Sequence, residues 1–490
     1  MKREVLIIHY NTPELTEAAI LSLRKHGGED YHFTIFDNSD ARPFAKQMNG
    51  VDVIDNTLGK EIDLDAEIRK FPNRSRKMGN AHVGDFPSAR HMLSVQWFMD
   101  NFDGDGFLLM DSDVLIRENI DFMFMPDQCT CGHIQTWQRA GNPGKKDRLV
   151  PLVCYIGVKK CKECGVSYFN PDMTFALHDG GEANTENWYD TGSYFLYEIR
   201  SHKNGACGKR IDIRPLMVHY GSASWKNTDT DAQQKWLEQY KDLWKPLPDY
   251  QLGQTAWKRP ENKGAKIYIC THKDFRLPVD NPVYEVLDAR KDGDSCNGIP
   301  GSFFSGFLVF SRICQQKRLP GIVGFCQYRK YFHWMSDVPD LKAWLKRYGC
   351  LVSQAIDLGK SVRDHYSSVG NVEDLDIATD IIKRNHPEFF EKWQKFIEGK
   401  LLHPASTFIM PTKDFRRMMP LIEDVIHHYL LTIGSDINKR IKENPAKYHI
   451  PGSTIEYQRR VGGQLCGRIV SAWIDWQFPE SKEVPIRFIR

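Results

Sequence analysis

Apolar residues run unbroken from Val5 to Ile8 and give way at His9, a pattern that predicts a strand buried on both faces. Thr12-Pro13-Glu14 follows as helix cap, first-turn proline and first-turn acid, so the chain turns at once into a helix. Leu15, Ala18, Ala19, Ser22 and Leu23 keep the helical spacing, and Gly27-Gly28 stops it. Phe33 to Phe36 resumes a strand that ends at Asp37-Asn38-Ser39-Asp40. A βαβ unit is the expectation. The pattern then recurs, with a helix from about Ser88 to Phe102 before the apolar strand Gly106 to Met110, which ends in Asp111-Ser112-Asp113. Such alternation predicts an α/β fold.

Between Asp242 and Lys266, prolines 246, 248 and 260 and glycines 253 and 264 sit among polar residues. This predicts two domains, 1–245 and 265–490, joined by a linker at 246–264. The second half restarts with a strand at Lys266 to Cys270, a helix at Ser302 to Gln316 and a strand at Gly321 to Cys326. Apolar periodicity through Met418 to Ile433 and Ile455 to Trp476 predicts a helical C-terminal end. No short internal repeat is visible.

A chain of 490 residues, 41% hydrophobic and 26% charged, accommodates two or three folded units with sizeable cores. Lys plus Arg exceed Asp plus Glu by 66 − 63 = 3, too even a balance for a protein that coats phosphate backbones, so nucleic acid is not expected as a partner. The apolar start is too short for a signal peptide, and no apolar run approaches the roughly 18 residues needed to cross a bilayer. Twelve irregularly spaced cysteines fit reduced thiols. A cytoplasmic location is expected, and the aromatic-basic end Pro485 to Arg490 offers a short contact for the inner face of a membrane.

In open α/β sheets ligands gather beyond the carboxyl ends of strands, where Asp111 and Asp113 would sit. On an extended segment residues two apart face the same side, so both carboxylates can reach one hard divalent cation, which in turn can hold a diphosphate. An Asp-x-Asp pair is also a common solvated turn, so its neighbours matter.

Val5-Leu6-Ile7-Ile8-His9-Tyr10-Asn11-Thr12, Phe36-Asp37-Asn38-Ser39, Leu109-Met110-Asp111-Ser112-Asp113 and Asp190-Thr191-Gly192 resemble the motifs of inverting family-2-type glycosyltransferases with the GT-A fold, over about residues 3 to 225. The resemblance implies a Rossmann-like mixed sheet flanked by helices, a UDP-sugar donor and Mn²⁺ or Mg²⁺ as cofactor. It places the nucleotide against His9, Asn11 and Asp37, with Arg90 approaching it and Asp111 shared between donor and metal. Asp111, Asp113 and His219 become the metal ligands, and Asp190 the carboxylate that takes the acceptor proton. Asp190 is equally a helix-capping residue, and Glu182 and Glu186 are rivals for the base.

Cys129-Thr130-Cys131 and Cys161-Lys162-Glu163-Cys164 raise the question of a four-thiolate zinc site. The first pair has a single intervening residue, so free thiols are expected at Cys129, Cys131, Cys161 and Cys164.

The segment beginning Lys266-Ile267-Tyr268-Ile269-Cys270-Thr271-His272 is similar to a capsular-polysaccharide and galactofuranosyltransferase-like family with a His-Tyr-Arg-Arg-Tyr-Phe signature. Here the signature reads Gln327-Tyr328-Arg329-Lys330-Tyr331-Phe332. This implies a second α/β, GT-A-like domain, with His272, Tyr328 and Arg329 toward a nucleotide sugar. Gln327 replaces the usual histidine, and Gly467 stands where an acid is expected before Arg468. Asp374 and Asp376 open a helix-period run and can simply favour its N-terminus.

Together these resemblances imply a bifunctional glycosyltransferase that passes sugars from UDP-sugars to an oligosaccharide or lipid-linked glycan acceptor, as in capsule or lipopolysaccharide assembly. The alternative is a single activity whose second half is a noncatalytic glycan-binding or docking module. A zinc-ribbon nucleic-acid binder is disfavoured by the charge balance.

Overall fold

The computed structural model describes residues 3–27, 30–70, 85–137, 146–171, 173, 191–202, 205–221, 223, 229–253, 258–277, 279–289, 305–334, 337–434, 437–451 and 453–488. The chain divides into two compact units, Met1–Arg259 and Pro260–Arg490.

In the first unit, β1 (Arg3–His9), α1 (Pro13–Gly27), β2 (Tyr31–Asp37), β3 (Val51–Asp55), α2 (Leu64–Arg69), α3 (Asp85–Asn101) and β4 (Phe107–Met110) come first. Then follow β5 (Val114–Ile116), β6 (Thr130–Trp137), β7 (Lys146–Ile156), α4 (Val158–Cys164) and α5 (Ser193–Ser201). β8 (Gly208–Arg210), β9 (Met217–His219), α6 (Thr230–Gln239) and α7 (Lys241–Trp244) complete it. The main sheet runs β3-β2-β1-β4-β7-β6-β8. Its first four strands are parallel, and β7 joins β4 in antiparallel register. Alternation along β1 explains the layering: Val5 and Ile7 pack toward Ala19, Ile20 and Leu23 of α1, while Leu6 packs toward Met92 and Val95 of α3. Strand order reverses between β1 and β4, so the carboxyl ends of these two strands open the crevice where such sheets bind ligands.

The expected linker begins as part of this unit. Buried Glu17 of α1 bonds Lys46 and the Tyr250 hydroxyl and accepts the Gly253 amide at 2.9 Å. Leu252 joins the same apolar cluster as Leu15 and Trp244. A buried carboxylate needs such partners, and the chain up to Gly253 supplies them.

The second unit comprises β10 (Ala265–Thr271), β11 (Tyr284–Asp288), α8 (Ser305–Cys314), β12 (Ile322–Gln327), β13 (Lys330–Phe332), α9 (Leu341–Tyr348), β14 (Leu351–Ser353) and β15 (Ile356–Asp357). α10 (Val362–Ser367), α11 (Val372–Asn385), α12 (Pro387–Glu398), β16 (Leu401–Leu402), β17 (Phe408–Pro411) and α13 (Thr412–Ile433) follow. Last come α14 (Ile437–Glu443), α15 (Pro445–Tyr448), α16 (Ile455–Gln458), α17 (Val461–Gln477), β18 (Lys482–Val484) and β19 (Ile486–Phe488). Its sheet runs β11-β10-β12-β17-β14-β18, with β11, β10 and β12 parallel. Helices α8, α11, α13 and α17 share one core with the sheet.

The C-terminal end differs from expectation. Two strands follow the last helix, and Ile486–Phe488 pairs with Lys330–Phe332. The segment expected to touch a membrane is therefore held in the sheet through Phe488, its alternating apolar residues reading as a strand; Ile489 and Arg490 lie outside the described residues. Among the described residues no helix is long and apolar enough to cross a membrane.

Candidate metal and donor site

β4 delivers Asp111 to the crevice, and the Asp111 amide donates to the Leu152 carbonyl at 2.9 Å, continuing the sheet by one residue. The chain then enters β5, which pairs antiparallel with β9 so that Val114 faces His219. This ribbon brings a distant histidine beside the acids: Asp113 Oδ1 lies 3.3 Å from His219 Nε2. Asp113 is 6% exposed, and its Oδ2 accepts the Ala223 amide at 3.2 Å. Ligand atoms of Asp111, Asp113 and His219 all lie within 4.8 Å of one another, and among the described residues no other group of three or more such side chains is gathered this way.

Two carboxylates and an imidazole suit a divalent cation such as Mn²⁺ or Mg²⁺. Burial opposes charge on His219, but the hydrogen bond to Asp113 and the charges of Asp113 and Asp111 outweigh it and raise its pKa above the ordinary value. The same two carboxylates that favour a proton on His219 would favour a cation beside it. On the other side, His91 of α3 places Nε2 at 3.6 Å from Asp111 Oδ1, and both of its ring nitrogens are buried without a hydrogen-bond partner. Across the strand switch, the Thr12 and Ser112 hydroxyls lie 3.1 Å apart.

The residues expected to touch the nucleotide also bond within the fold. His9 is fully buried; its Nε2 donates to the Arg42 carbonyl at 3.2 Å, which leaves Nδ1 to accept from the Thr16 hydroxyl at 2.7 Å. Burial lowers its pKa against the pull of Asp37, consistent with a neutral ring. Asp37 is 1% exposed and accepts the Ser39 amide at 2.9 Å and the Phe44 amide at 2.7 Å. Asn11, at a left-handed φ of 57°, accepts the Ala41 and Arg42 amides and donates to Asp40. The three side chains frame the loop from 38 to 44, Asn11 and Asp37 by accepting its amides and His9 by donating to its Arg42 carbonyl.

Arg90 is likewise committed within the fold. Its Nε donates to buried Asp65 at 3.0 Å, and burial, which opposes its charge, is outweighed by Asp65, so its pKa is raised. Tyr10 donates to Asp40 at 2.7 Å and sits in the field of the same arginine. His91, Tyr10 and Asp40 are further neighbours of this crevice that chain position alone does not single out. Asp40 at least stood in the strand-end motif; nothing in the spacing marked His91.

Asp190, Glu182 and Glu186 lie outside the described residues. The helix after them starts at Ser193 with Gly192 as its cap, at φ 75°, where an added Cβ would meet the Leu149 carbonyl. That accounts for the glycine of the Asp-Thr-Gly motif.

Among the thiols, Cys161 donates to the Cys129 carbonyl at 3.6 Å, and no cysteine in the described residues forms a disulfide. A hydrogen bond from Cys161 lowers the Cys129 pKa to about 6, with Cys164 contributing, whereas burial raises Cys131 to about 11. Cys131 stands apart from the other three.

In the second unit the strand switch lies between β10 and β12. His272, just past β10, meets the Tyr328 ring edge-on at 5.0 Å. Tyr328 and Arg329 form the tight turn of the β12–β13 hairpin; Arg329 is exposed at φ 78°, a backbone region costly for residues other than glycine. Tyr331 is fully buried. Asp374 does more than favour a helix start: 1% exposed, it accepts from the Tyr429 hydroxyl at 2.9 Å and pairs with Arg440 at 2.9 Å, while burial pushes its pKa to about 6. Asp376 pairs with Arg363.

A family model described as a domain of unknown function (DUF4422) matches residues 315–477. No curated protein matches the chain. Among solved structures, one described as WbbM bifunctional glycosyltransferase in its apo form aligns at 15% identity and TM-score 0.36, covering 46% of this chain and 45% of that one. The galactosyltransferase LgtC, solved with donor and acceptor sugar analogues, aligns at 15% identity and TM-score 0.31, covering 51% of this chain and 97% of its own. The glycosyltransferase GlyE of Streptococcus pneumoniae TIGR4 aligns at 15% identity and TM-score 0.27, covering 45% and 55%. The chain thus spans less than half of the first of these, and likenesses at such scores assign nothing by themselves.

Proposed function

We propose that the first unit is a GT-A-type glycosyltransferase that moves a sugar from a UDP-sugar to a glycan acceptor with the help of Mn²⁺ or Mg²⁺. The observation that carries the reading is the convergence of Asp111, Asp113 and His219 at the strand switch. Asp111 and Asp113 supply anionic oxygens, and His219 supplies a nitrogen once its proton leaves. A bound cation would neutralise charge gathering on the departing diphosphate. Thr12 and Ser112 close the crevice between β1 and β4, and the framed loop from 38 to 44 holds its wall in place. His91 stands ready to donate a hydrogen bond beside Asp111.

Inverting transfer needs a carboxylate to take the acceptor hydroxyl proton, and Asp190, next to Thr191-Gly192 at the start of α5, is the residue we assign to it. We read the second unit as a second nucleotide-sugar-dependent transferase, which makes the chain bifunctional in building a capsular or lipopolysaccharide glycan at the inner face of the membrane. Gln327, in place of the signature histidine, favours the second reading of that unit as a noncatalytic glycan-docking module.

The test is transfer and donor hydrolysis by the full chain across a panel of nucleotide sugars, with and without Mn²⁺. Metal-dependent turnover that Asp111→Asn removes and Arg468→Gln leaves in place supports the first unit's assignment. Turnover indifferent to Asp111 and to chelation would defeat it.

A further inference from the structure

Arg468 of α17 is 6% exposed, and among the described residues it has no carboxylate partner. Its Nη1 donates to the Gln464 carbonyl at 3.1 Å, its Nη2 lies 3.4 Å from His365 Nδ1, and its guanidinium sits 4.5 Å from the centre of the Tyr366 ring. Its Nε is buried without a partner. Desolvating an unpaired cation is costly, and one aromatic face offsets only part of that cost. Elsewhere in the unit buried charge is matched, as Arg440 is by Asp374. Position 467, where a neighbouring acid was expected, is glycine.

The groups nearest Arg468 are Tyr366, Tyr457 and His365, with Lys360 a further cation beside His365. Because the guanidinium only donates, His365 Nδ1 must accept, which leaves Nε2–H as a donor. Burial and the charges of Arg468 and Lys360 hold His365 neutral, its pKa lowered to about 4. The Arg468 side chain reaches back one turn toward the start of its 17-residue helix, as helical side chains do. That helix start has Arg460 as its cap residue and no side-chain cap, so the amides of Val461, Gly462 and Gly463 are those a helix leaves without intrahelical partners. Gln458, just before it, is 2% exposed with both amide atoms unpartnered, and Arg459 Nε is buried unpartnered as well. Lys330, the first residue of β13 and the partner of Gln327, is lowered in pKa by burial and by the charge of Arg460, so the signature hairpin lies near the helix cap.

We infer that the second unit holds the diphosphate of a nucleotide directly, without a divalent cation, at the start of α17 between Arg468, His365 and Gln458. A planar guanidinium, a helix N-terminus and neutral N–H donors are the groups that recognise phosphoryl oxygens. The inference deepens the reading of this unit as nucleotide-sugar-dependent and rests on it. It assigns Arg468 the charge-neutralising part that a cation plays in the first unit.

The test uses the full chain carrying Asp111→Asn and Asp113→Asn, so that the first unit's metal site is silent, in EDTA. Calorimetry should show saturable binding of UDP and of inorganic pyrophosphate but not of uridine. Arg468→Gln should weaken UDP binding by at least about ten-fold. His365→Leu, which leaves the buried cation in place, should weaken it by a smaller factor, and a thermal melt of each variant confirms that it is folded. Failure of UDP to bind in EDTA, or binding unchanged in both folded variants, would overturn the inference. Retention on phosphatidic acid vesicles in place of UDP binding would mean a lipid-borne phosphate and would equally overturn the nucleotide assignment. If this chain still transfers sugar while Arg468→Gln binds UDP normally, the inference fails and the transferase reading stands. UDP bound through Arg468 with no turnover of any donor sinks the transferase reading and leaves the diphosphate site.

Discussion

The two units solve the same layout with opposite charge. Each places a parallel trio of strands around a switch in strand order, between β1 and β4 in the first and between β10 and β12 in the second. In the first, the strand ends carry Asp111 and Asp113 with His219 beside them. In the second, the acids Asp374 and Asp376 are bound to Arg440 and Arg363, while Arg468 is buried among His365, Tyr366 and the start of a helix. The difference is one of chemistry on a shared α/β layout: a set of acids suits a cation between protein and phosphate, whereas a buried base would meet a phosphate directly, as proposed for the two units.

The largest effect expected from breaking this comparison is in the first unit. Asp113→Asn should lower metal-dependent transfer by about a thousand-fold, the scale of losing several kcal/mol of charge stabilisation, while leaving metal-free UDP binding by the second unit intact. A parallel loss at both sites in binding assays would show that the units are not independent.

Next in size is the frame of the first site. Arg90→Met would remove the arginine that pairs with Asp65, 4% exposed, and should cost about 3–5 kcal/mol of stability, read from urea unfolding of the full chain. A loss of transfer with unchanged stability would instead return Arg90 to the ligand.

A smaller effect sharpens the contrast through pH. The raised pKa of His219 means that its protonated form contributes stability fully present below about 6.5 and lost as pH rises through the folded value. A cation must displace that proton, so Mn²⁺ affinity should rise with pH through the same range and then level off. UDP binding by the second unit in EDTA should lack this rise. A flat Mn²⁺ profile across that range would remove His219 from the ligand set.

The smallest effect concerns the thiols. With Cys131 set apart from Cys129, Cys161 and Cys164, that four-thiolate set lacks one member, and purified protein should hold less than stoichiometric zinc by mass spectrometry. Zinc at one ion per chain would contradict this.

Strand ends were legible in the sequence because apolar runs, caps and glycines are local signals: Val5 to His9, the helix from Pro13 and the strand before Asp111 all follow from spacing. What spacing cannot tell is which polar side chains the fold itself consumes. His9, Asn11 and Asp37 stand at the crevice by position, and each also bonds within the fold: Asn11 and Asp37 to amides of the loop from 38 to 44, His9 to the Arg42 carbonyl, and Arg90 to Asp65, partners set by tertiary packing. In the linker, proline and glycine mark irregular chain but not that a buried acid such as Glu17 binds it at Tyr250 and Gly253. Arg468 was noted only for the acid missing before it; its burial without a counter-ion is visible only once α10 and α17 are brought together.

The central claim is that Asp111, Asp113 and His219 grip a divalent cation, and titration of the full chain with Mn²⁺, followed by the electron paramagnetic resonance of the free ion, tests it most directly. The account predicts a single saturable Mn²⁺ that is lost in Asp111→Asn/Asp113→Asn and bound more tightly when UDP is added. Equal Mn²⁺ uptake by the variant and the unaltered protein would contradict it.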